Sequence, residues 1–172
     1  MNYTRATTDK SIPFLVGTEF LIITVLLVVY GWATYERNII WKDELSLWSD
    51  VAKNSPNKGR AYNEMGMYFY TRQRADRALP FFLKSIEIDP LSDTSHNNLG
   101  LCLLATGYIN NAIEAFQEAI ELNPMKGMYH INLGIAYLQK GLTDLAQREI
   151  DLGKKLKRKK ADDQPLFHRG KF

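Results

Sequence analysis

The residue types best suited to metal or nucleophilic chemistry are few in this sequence. His96 and His130 stand 34 residues apart, and two imidazole rings fall short of the three protein ligands that a stable zinc site needs. We interpret the pair as one structural position that occurs in two copies of a repeat. Cys102, the single cysteine, lies among Leu101, Leu103 and Leu104, which favours a buried and unreactive thiol.

Motifs for known reactions are absent from the sequence. It has no glycine-rich phosphate loop, no G-x-S-x-G, no H-E-x-x-H and no calcium-binding loop. We therefore predict a protein that is not an enzyme and holds neither cofactor nor metal. The net charge of +3 includes six positive charges between Lys154 and Lys160, so the rest of the chain is acidic overall. That balance does not indicate a nucleic-acid partner.

An apolar stretch from Phe14 to Ala33 has the length of a membrane span. Its 20 residues carry one charge, Glu19, and as a helix they would reach about 30 Å. Glu19 lies near the start, so we interpret it as a boundary carboxylate rather than a partner for a cation in another membrane helix. A buried core helix and a signal peptide cleaved after Ala33 are the alternatives, and the length favours an uncleaved anchor.

The rest of the chain repeats itself with a period of 34 residues. Three sets of residues keep this spacing: Pro56, Pro90 and Pro124; Gly66, Gly100 and Gly134; Ala78, Ala112 and Ala146. The glycines predict close approach between paired helices. The segment NNLGLCLLATGYINNAIEAFQEAIELNP, Asn97 to Pro124, closely resembles a tetratricopeptide repeat (TPR), a motif of two helices.

This resemblance implies an all-α solenoid of three helix pairs with a preceding single helix, and the apolar stretch from Phe14 to Ala33 predicts one transmembrane helix before it. We divide the chain into an N-terminal tail (1–12), a transmembrane helix (13–35), a junction with a lone packing helix (36–58), three repeats (59–92, 93–126 and 127–160) and a disordered tail (161–172). The first repeat departs from the TPR pattern at Gln73, where the loop glycine is expected, and at Pro80 in its second helix.

At both ends of the predicted solenoid, we expect a helix that prevents a further repeat from stacking. The segment Asp43 to Asn54 is interpreted as a lone helix that covers the first repeat. At the other end, Lys154 to Lys160 make the last helix too polar to stack a further repeat, as a solubilising cap requires. Binding to acidic lipid headgroups is the alternative for this basic run.

The TPR resemblance implies a partner-binding groove on the concave face, which is built from the first helix of each pair. Carboxamides suit that task because they both donate and accept hydrogen bonds. We expect an extended protein or peptide to bind the following residues, with Met67, Leu104 and Leu138 alongside: Asn63, Asn97, Asn98, Asn132, Tyr70 and Gln139. The alternative is that the asparagines merely solvate an exposed helix face. We expect the double change of Asn98 and Asn132 to alanine to weaken partner capture and to leave folding nearly unaffected, because exposed helix positions lose little stability.

A second resemblance concerns the junction. The segment from Thr34 to Gly66, with Arg37, Trp41 and Trp48, resembles the start of the TPR tail in transmembrane TPR-containing protein O-mannosyltransferases. No catalytic residue of that family falls on this chain. We expect a membrane-anchored scaffold that binds proteins, with an accessory or severed part of such a glycosyltransferase as the alternative. The single apolar stretch predicts a single-pass membrane protein, and the family resemblance implies that its repeats lie outside the cytoplasm. A neighbouring membrane protein is the further partner that we expect.

Overall fold

The computed structural model describes the backbone of residues 12–40 and 43–162, and the side chains of residues 19–35 and 43–159. Every regular element in these ranges is an α-helix, which confirms the all-α prediction for the part of the chain described. The helices are α1 (Ile12–Ile40), α2 (Glu44–Asn54), α3 (Gly59–Thr71), α4 (Ala75–Ile88), α5 (Asp93–Ala105), α6 (Ile109–Leu122), α7 (Gly127–Gln139) and α8 (Thr143–Asp162).

The chain divides into two compact units between Asp43 and Glu44, and α1 belongs to the first. A helix needs roughly 20 consecutive apolar residues to cross a bilayer. Within the described residues, no helix is long and apolar enough to do so. The transmembrane helix predicted at 13–35 is therefore not supported by the structure.

Several predicted boundaries fall at or beyond the ends of the described ranges. The helix expected to end at residue 35 continues to Ile40, so the first residues of the predicted junction are helical. Helix α8 reaches Asp162, two residues into the segment predicted to be disordered. The remainder of that tail, 163–172, and the N-terminal tail up to residue 11 lie outside the described residues.

The second unit contains three helix pairs, α3–α4, α5–α6 and α7–α8, one in each predicted repeat. Within every pair a glycine of the first helix lies against a large side chain of the second. A Cβ atom added to Gly66 or Gly100 would come within 2.6 Å of the ring of Phe82 or Phe116, and one added to Gly134 would come as close to Ile150. The predicted role of the glycines in close helix approach is confirmed.

The loop inside each pair turns through a left-handed residue. Gly107 and Gly141 have φ angles of 84° and 83°, which glycine adopts without a Cβ clash. The first repeat has Gln73 at the equivalent position, and its φ is 59°. The backbone geometry of the loop is thus kept although the glycine is missing. Pro80 also lies inside α4 without ending the helix.

The two ends of the second unit are closed by different means. The lone helix α2 packs against α3, and the guanidinium of Arg60 in α3 lies 5.7 Å from the ring centre of Trp48 in α2. At the other end, the positions that pack against a following repeat in α6 are Ile113 and Ile120. Their equivalents in α8 are Gln147 and Lys154, which are both exposed, so α8 offers no apolar face for another pair.

Hydrogen bonds between polar side chains connect the second repeat to the third. The carboxylate of Asp93, at the start of α5, accepts hydrogen bonds from Asn123 Nδ2 at 2.7 Å, Tyr129 Oη at 3.1 Å and the Thr94 backbone N–H at 2.8 Å. Burial by itself would raise the pKa of Asp93, but these hydrogen bonds outweigh it and lower the pKa below its ordinary value. Asp93 therefore binds the second repeat to the third most firmly when it is ionised.

Candidate partner-binding face

The first helices α3, α5 and α7 lie next to one another, with α5 in contact with both of the others. We call the surface that they form the first-helix face. It is the face on which the six partner-binding residues were predicted. Four of those residues are asparagines at two adjacent positions of the repeat: Asn63, Asn97, Asn98 and Asn132.

The four asparagine side chains form one chain of hydrogen bonds, which we call the asparagine ladder. Asn132 Nδ2 donates to Asn97 Oδ1 at 2.8 Å, and Asn97 Nδ2 donates to Asn98 Oδ1 at 3.2 Å. Asn98 Nδ2 then donates to Asn63 Oδ1 at 2.9 Å. The ladder runs from α7 through α5 to α3, so it joins all three repeats through side chains alone.

The ladder corrects one premise of the sequence analysis. The asparagines were expected on an exposed helix face, yet they are only 5–7% exposed. A buried carboxamide that loses its partner costs about 1–3 kcal/mol, so these residues hold the repeats together whether or not they also bind a partner. The premise that these positions are exposed is wrong, and we now expect their replacement to destabilise the fold. Their predicted role in partner binding stays a prediction.

Tyr70 and Gln139 occupy different environments. Tyr70 is half-buried and packs against the core cluster of Ala78, Phe82 and Cys102. Burial, and secondarily the nearby Cys102, raises the pKa of its hydroxyl above the ordinary value. Gln139, the last residue of α7, is exposed. Of the six predicted residues it is thus the one with a freely accessible side chain.

The structure shows an accessible apolar row that the sequence analysis found only in part. On α7, Met128, Ile135 and Leu138 are 46%, 40% and 49% exposed, and at about 100° per residue they lie on one side of the helix. Leu138 was named from the sequence, but Met128 and Ile135 were not. The 34-residue period places Ile135 at the position of Met67, which was named, so that spacing would have revealed it. The counterparts of Met128 are Arg60 and Thr94, which gave no such signal.

The remaining residues singled out by chemistry have structural roles. His96 and His130 each use Nε2 to donate to the carbonyl of the proline six residues earlier, at 2.9 Å and 3.0 Å, which confirms that they occupy one repeated position. Cys102 is fully buried, and burial together with the charge of Asp76 raises the pKa of its thiol to about 11. Among the described residues, no group of three or more metal-ligating side chains comes together.

The first-helix face thus offers two kinds of contact. The apolar row on α7 continues towards half-buried apolar residues at equivalent positions of the other first helices, which are Leu101, Leu104, Met67 and Tyr70. Beside these apolar residues, the outer atoms of the asparagine ladder supply polar groups, most of which already form hydrogen bonds within the ladder. The arrangement can hold apolar side chains of a second chain, with amide groups beside them.

Comparison with known sequences identifies the repeats. Two family models, both described as tetratricopeptide repeat, match residues 59–90 and 94–125. The chain therefore contains TPR repeats, and the matches fall on its first and second helix pairs. The human protein O-mannosyl-transferase TMTC3 is 23% identical over 72 residues, which make up 42% of this chain but only 8% of that protein.

Comparison with solved structures agrees with this assignment. A crystal structure of MamA has a TM-score of 0.62 and 22% identity, with 69% of each chain covered. MamA from Desulfovibrio magneticus RS-1, from its residue 41 to the end, has a TM-score of 0.61 and 24% identity, with 81% of this chain and 73% of that chain covered. At such identities the likeness shows a shared fold, a TPR solenoid.

Proposed function

We propose that this protein is a non-catalytic scaffold that holds an extended, apolar segment of another protein on its first-helix face. The observation that carries the proposal is the row of Met128, Ile135 and Leu138, which leaves three large apolar side chains 40–49% exposed on one helix. Exposed apolar residues that lie together, rather than singly, are typical of interaction sites. Repeat solenoids present such surfaces on the face built from successive equivalent helices.

The charges near this face favour an apolar segment over an acidic one. Among the described first-helix residues at the positions of the apolar row and the ladder, the basic side chain is Arg60, and it lies 3.8 Å from Glu64. A segment that buries apolar side chains against Ile135 and Leu138 would gain about 25 cal/mol for each Å² removed from water. The amide groups of the ladder would then set the position of the segment's backbone.

Photocrosslinking at a chosen residue tests the proposal. The photoreactive amino acid p-benzoylphenylalanine replaces Leu138 in the full chain, and irradiation in cells that express it should join the chain to a partner. The matched position is Leu91, which is 77% exposed between α4 and α5 and lies off the face. We expect a crosslinked partner from position 138 and none from position 91.

A second substitution connects the crosslink to the apolar row. Ile135→Glu introduces a charge beside Leu138 and should abolish the crosslink, because burying a carboxylate against an apolar segment is costly. Leu91→Glu makes the same kind of change elsewhere and should leave the crosslink intact. Equal crosslinking from both positions, or a crosslink that survives Ile135→Glu, would contradict the proposed face.

We further propose that α1 attaches this scaffold to a membrane. Support comes from the 20-residue apolar stretch Phe14 to Ala33, and from the large apolar side chains between Phe20 and Tyr35, which are at least 49% exposed. So much exposed apolar surface on one helix needs a cover of lipid or protein. After alkaline carbonate washing, the full chain should remain in the membrane pellet, and its release into the supernatant would contradict the anchor.

The orientation that we propose places the TPR repeats outside the cytoplasm, as in the O-mannosyltransferase resemblance. Protease added to intact cells or spheroplasts should then remove a tag fused after Phe172. A tag on a cytoplasmic protein serves as the control for intact membranes. Protection of the Phe172 tag until lysis would reverse the orientation.

The second candidate function is an accessory or severed part of a membrane glycosyltransferase. The match to human protein O-mannosyl-transferase TMTC3 and the junction around Arg37 and Trp41 favour it. The reading frames next to the gene decide between the two candidates. An adjoining frame that encodes many membrane spans would support the glycosyltransferase, whereas unrelated neighbours would support an independent scaffold.

A further inference from the structure

The last helix, α8, differs from its counterparts α4 and α6 at two exposed positions. Position 145 is a leucine where the first two repeats have Arg77 and Asn111, and position 152 is a leucine where they have Lys84 and Glu118. Leu145 and Leu152 are 42% and 41% exposed. A surface that is polar in two repeats has therefore become apolar in the third.

Together with Leu156, whose counterparts Ile88 and Leu122 are also apolar, these residues form what we call the leucine stripe, which Glu149 borders on the side of α7. At about 100° per residue, Leu145, Leu152 and Leu156 lie within about 40° of one another around the helix axis. Leu156 also lines a cavity of about 460 Å³ between the end of α8 and the start of α7, together with Met125 and Met128. The leucine stripe and the cavity together form one apolar surface.

Basic side chains border this surface. Three exposed basic residues lie along one edge of the leucine stripe: Arg148, Lys155 and Lys159. None of them forms an ion pair with another described residue. Lys126 and Lys157 line the cavity. Two carboxylates lie near these cations: Glu149 is 2.8 Å from His130 Nδ1, and Asp151 accepts from the neutral amide of Gln147 at 2.9 Å and keeps its negative charge. The five basic side chains outnumber them. Asp144 lies a full turn or more from the lysines, at the start of α8.

A solubilising cap explains only part of this pattern. The cap needs polar residues on the face that would meet a further repeat, and Gln147 and Lys154 supply them. It does not need leucines at positions 145 and 152, where α4 and α6 have polar or charged residues. A helix with an apolar stripe bordered by lysines is typical of segments that lie in the surface of a negatively charged bilayer.

We propose that α8 binds the surface of an anionic phospholipid bilayer, with Leu145, Leu152 and Leu156 at the level of the acyl chains and Arg148, Lys155 and Lys159 on the phosphate groups. This role goes beyond partner binding, because it uses a different helix and a different face. It would set the orientation of the first-helix face relative to any membrane leaflet that carries anionic phospholipid, and it does not depend on the side of the membrane proposed for the repeats. Attraction between exposed lysines and headgroups is screened by salt, so binding should weaken as ionic strength rises.

The experiment places a fluorescent probe on the stripe of the full chain. Leu145→Cys is labelled with a nitrobenzoxadiazole dye, which Cys102 does not take up because it is fully buried. The chain is reconstituted into vesicles of phosphatidylcholine, with or without phosphatidylglycerol, that contain lipids carrying a quencher on the acyl chain. Quenching reports contact of α8 itself with the bilayer, whatever α1 does. We expect strong quenching only when phosphatidylglycerol is present.

Two matched charge changes complete the test. Lys155→Glu with Lys159→Glu should lower the ratio of bound to free α8 about 25-fold or more, given about fivefold for each basic residue at an anionic surface. Lys154→Glu with Arg158→Glu changes the net charge equally but lies on the other side of the helix, so it should lower the ratio no more than about threefold. Circular dichroism confirms folding, and the corresponding glutamine variants replace any pair that does not fold.

Three results would overturn the proposal. One is quenching that does not depend on phosphatidylglycerol, and another is an equal loss in the two charge variants. The third is a blue shift of the dye on addition of poly-glutamate, with no quenching by vesicles, which would assign the surface to an acidic protein instead.

Discussion

Gln73 shows how a single residue departs from the repeat without changing its geometry. It holds a φ of 59° where the later repeats use Gly107 and Gly141, and a residue with a Cβ pays about 1–2 kcal/mol for that conformation. Gln73→Gly removes this strain, although it also adds freedom to the unfolded chain. We expect a net gain of about 0.5–1 kcal/mol in the free energy of unfolding.

Urea titration of the unit that begins at Glu44 measures this gain. The control is Gln117→Gly, the same change at an exposed position inside α6. It should cost about 1 kcal/mol or slightly more, because glycine disfavours helix and the side chain donates a 3.4 Å hydrogen bond to Tyr137 Oη. If Gln73→Gly destabilises the unit as much as Gln117→Gly does, then the left-handed loop does not strain Gln73.

Asp93 gives the second repeat a dependence on pH. Its pKa is lowered in the folded protein from an unfolded value near 3.8, so its ionised form stabilises the fold above that value. The contribution is lost as the pH falls through the lower, folded pKa. The urea midpoint of Asp93→Asn should lie below that of the parent chain at pH 7, and the gap should shrink below about pH 4.

The matched control for Asp93 is Glu121→Gln, which removes one carboxylate at an exposed site in α6. Its free energy of unfolding should stay within about 0.5 kcal/mol of the parent at both pH values. If the urea midpoints of Asp93→Asn and the parent differ by the same amount from pH 7 to pH 3, then the hydrogen bonds of Asp93 with Asn123 and Tyr129 do not depend on its ionisation.

At the scale of helices, the crossing of α5 and α6 depends on the absence of a side chain. A Cβ on Gly100 would lie 2.6 Å from a ring carbon of Phe116, so Gly100→Leu must push the two helices apart. Overpacking of this kind costs about 1–3 kcal/mol or more. Thermal unfolding should show the loss, whereas Ala105→Leu, at an exposed position of the same helix, should stay within about 0.5 kcal/mol. Equal midpoints for the two variants would contradict the role of the glycine.

The asparagine ladder makes neighbouring first helices depend on one another. Asn98→Ala breaks two hydrogen bonds and leaves Asn97 Nδ2 and Asn63 Oδ1 without partners. We expect a loss of about 1–3 kcal/mol in the free energy of unfolding. Asn110→Ala, on the exposed side of α6, removes an asparagine outside the ladder and should stay within about 0.5 kcal/mol. An Asn98→Ala variant as stable as Asn110→Ala would mean that water replaces the ladder at no cost.

At the scale of the whole second unit, two residues of α8 stop the solenoid from extending. Gln147→Leu with Lys154→Ile would give α8 the kind of face that Ile113 and Ile120 give α6, but with no following repeat to cover it. An uncovered end of a solenoid associates with other copies. Sedimentation velocity should show oligomers of this variant. The control variant, Gln147→Asn with Lys154→Arg, keeps the face polar and should have the same oligomeric state as the parent chain. If the two variants show the same oligomeric state, other residues prevent the solenoid from extending.

The repeat architecture could be predicted from the sequence because it follows from local spacing. A period of 34 residues places glycine, alanine and proline at the same points of each helix pair, and a helix pair closes within one period. Gln73 and Pro80 were recognised as departures for the same reason. The polar residues of α8 that end the stack were also visible, since their counterparts in α6 are apolar.

Only the tertiary structure shows that the asparagines are buried and hydrogen-bonded to one another. Asn63 and Asn98 are 35 residues apart, and their hydrogen bond of 2.9 Å exists because α3 and α5 lie next to one another. A helical pattern tells which side of its own helix a residue occupies, but not how closely the next helix covers it. Asn97 and Asn132 therefore have the sequence pattern of exposed groove residues, while the contact between helices buries them, and the accessible groups of the same face prove to be Met128, Ile135 and Leu138.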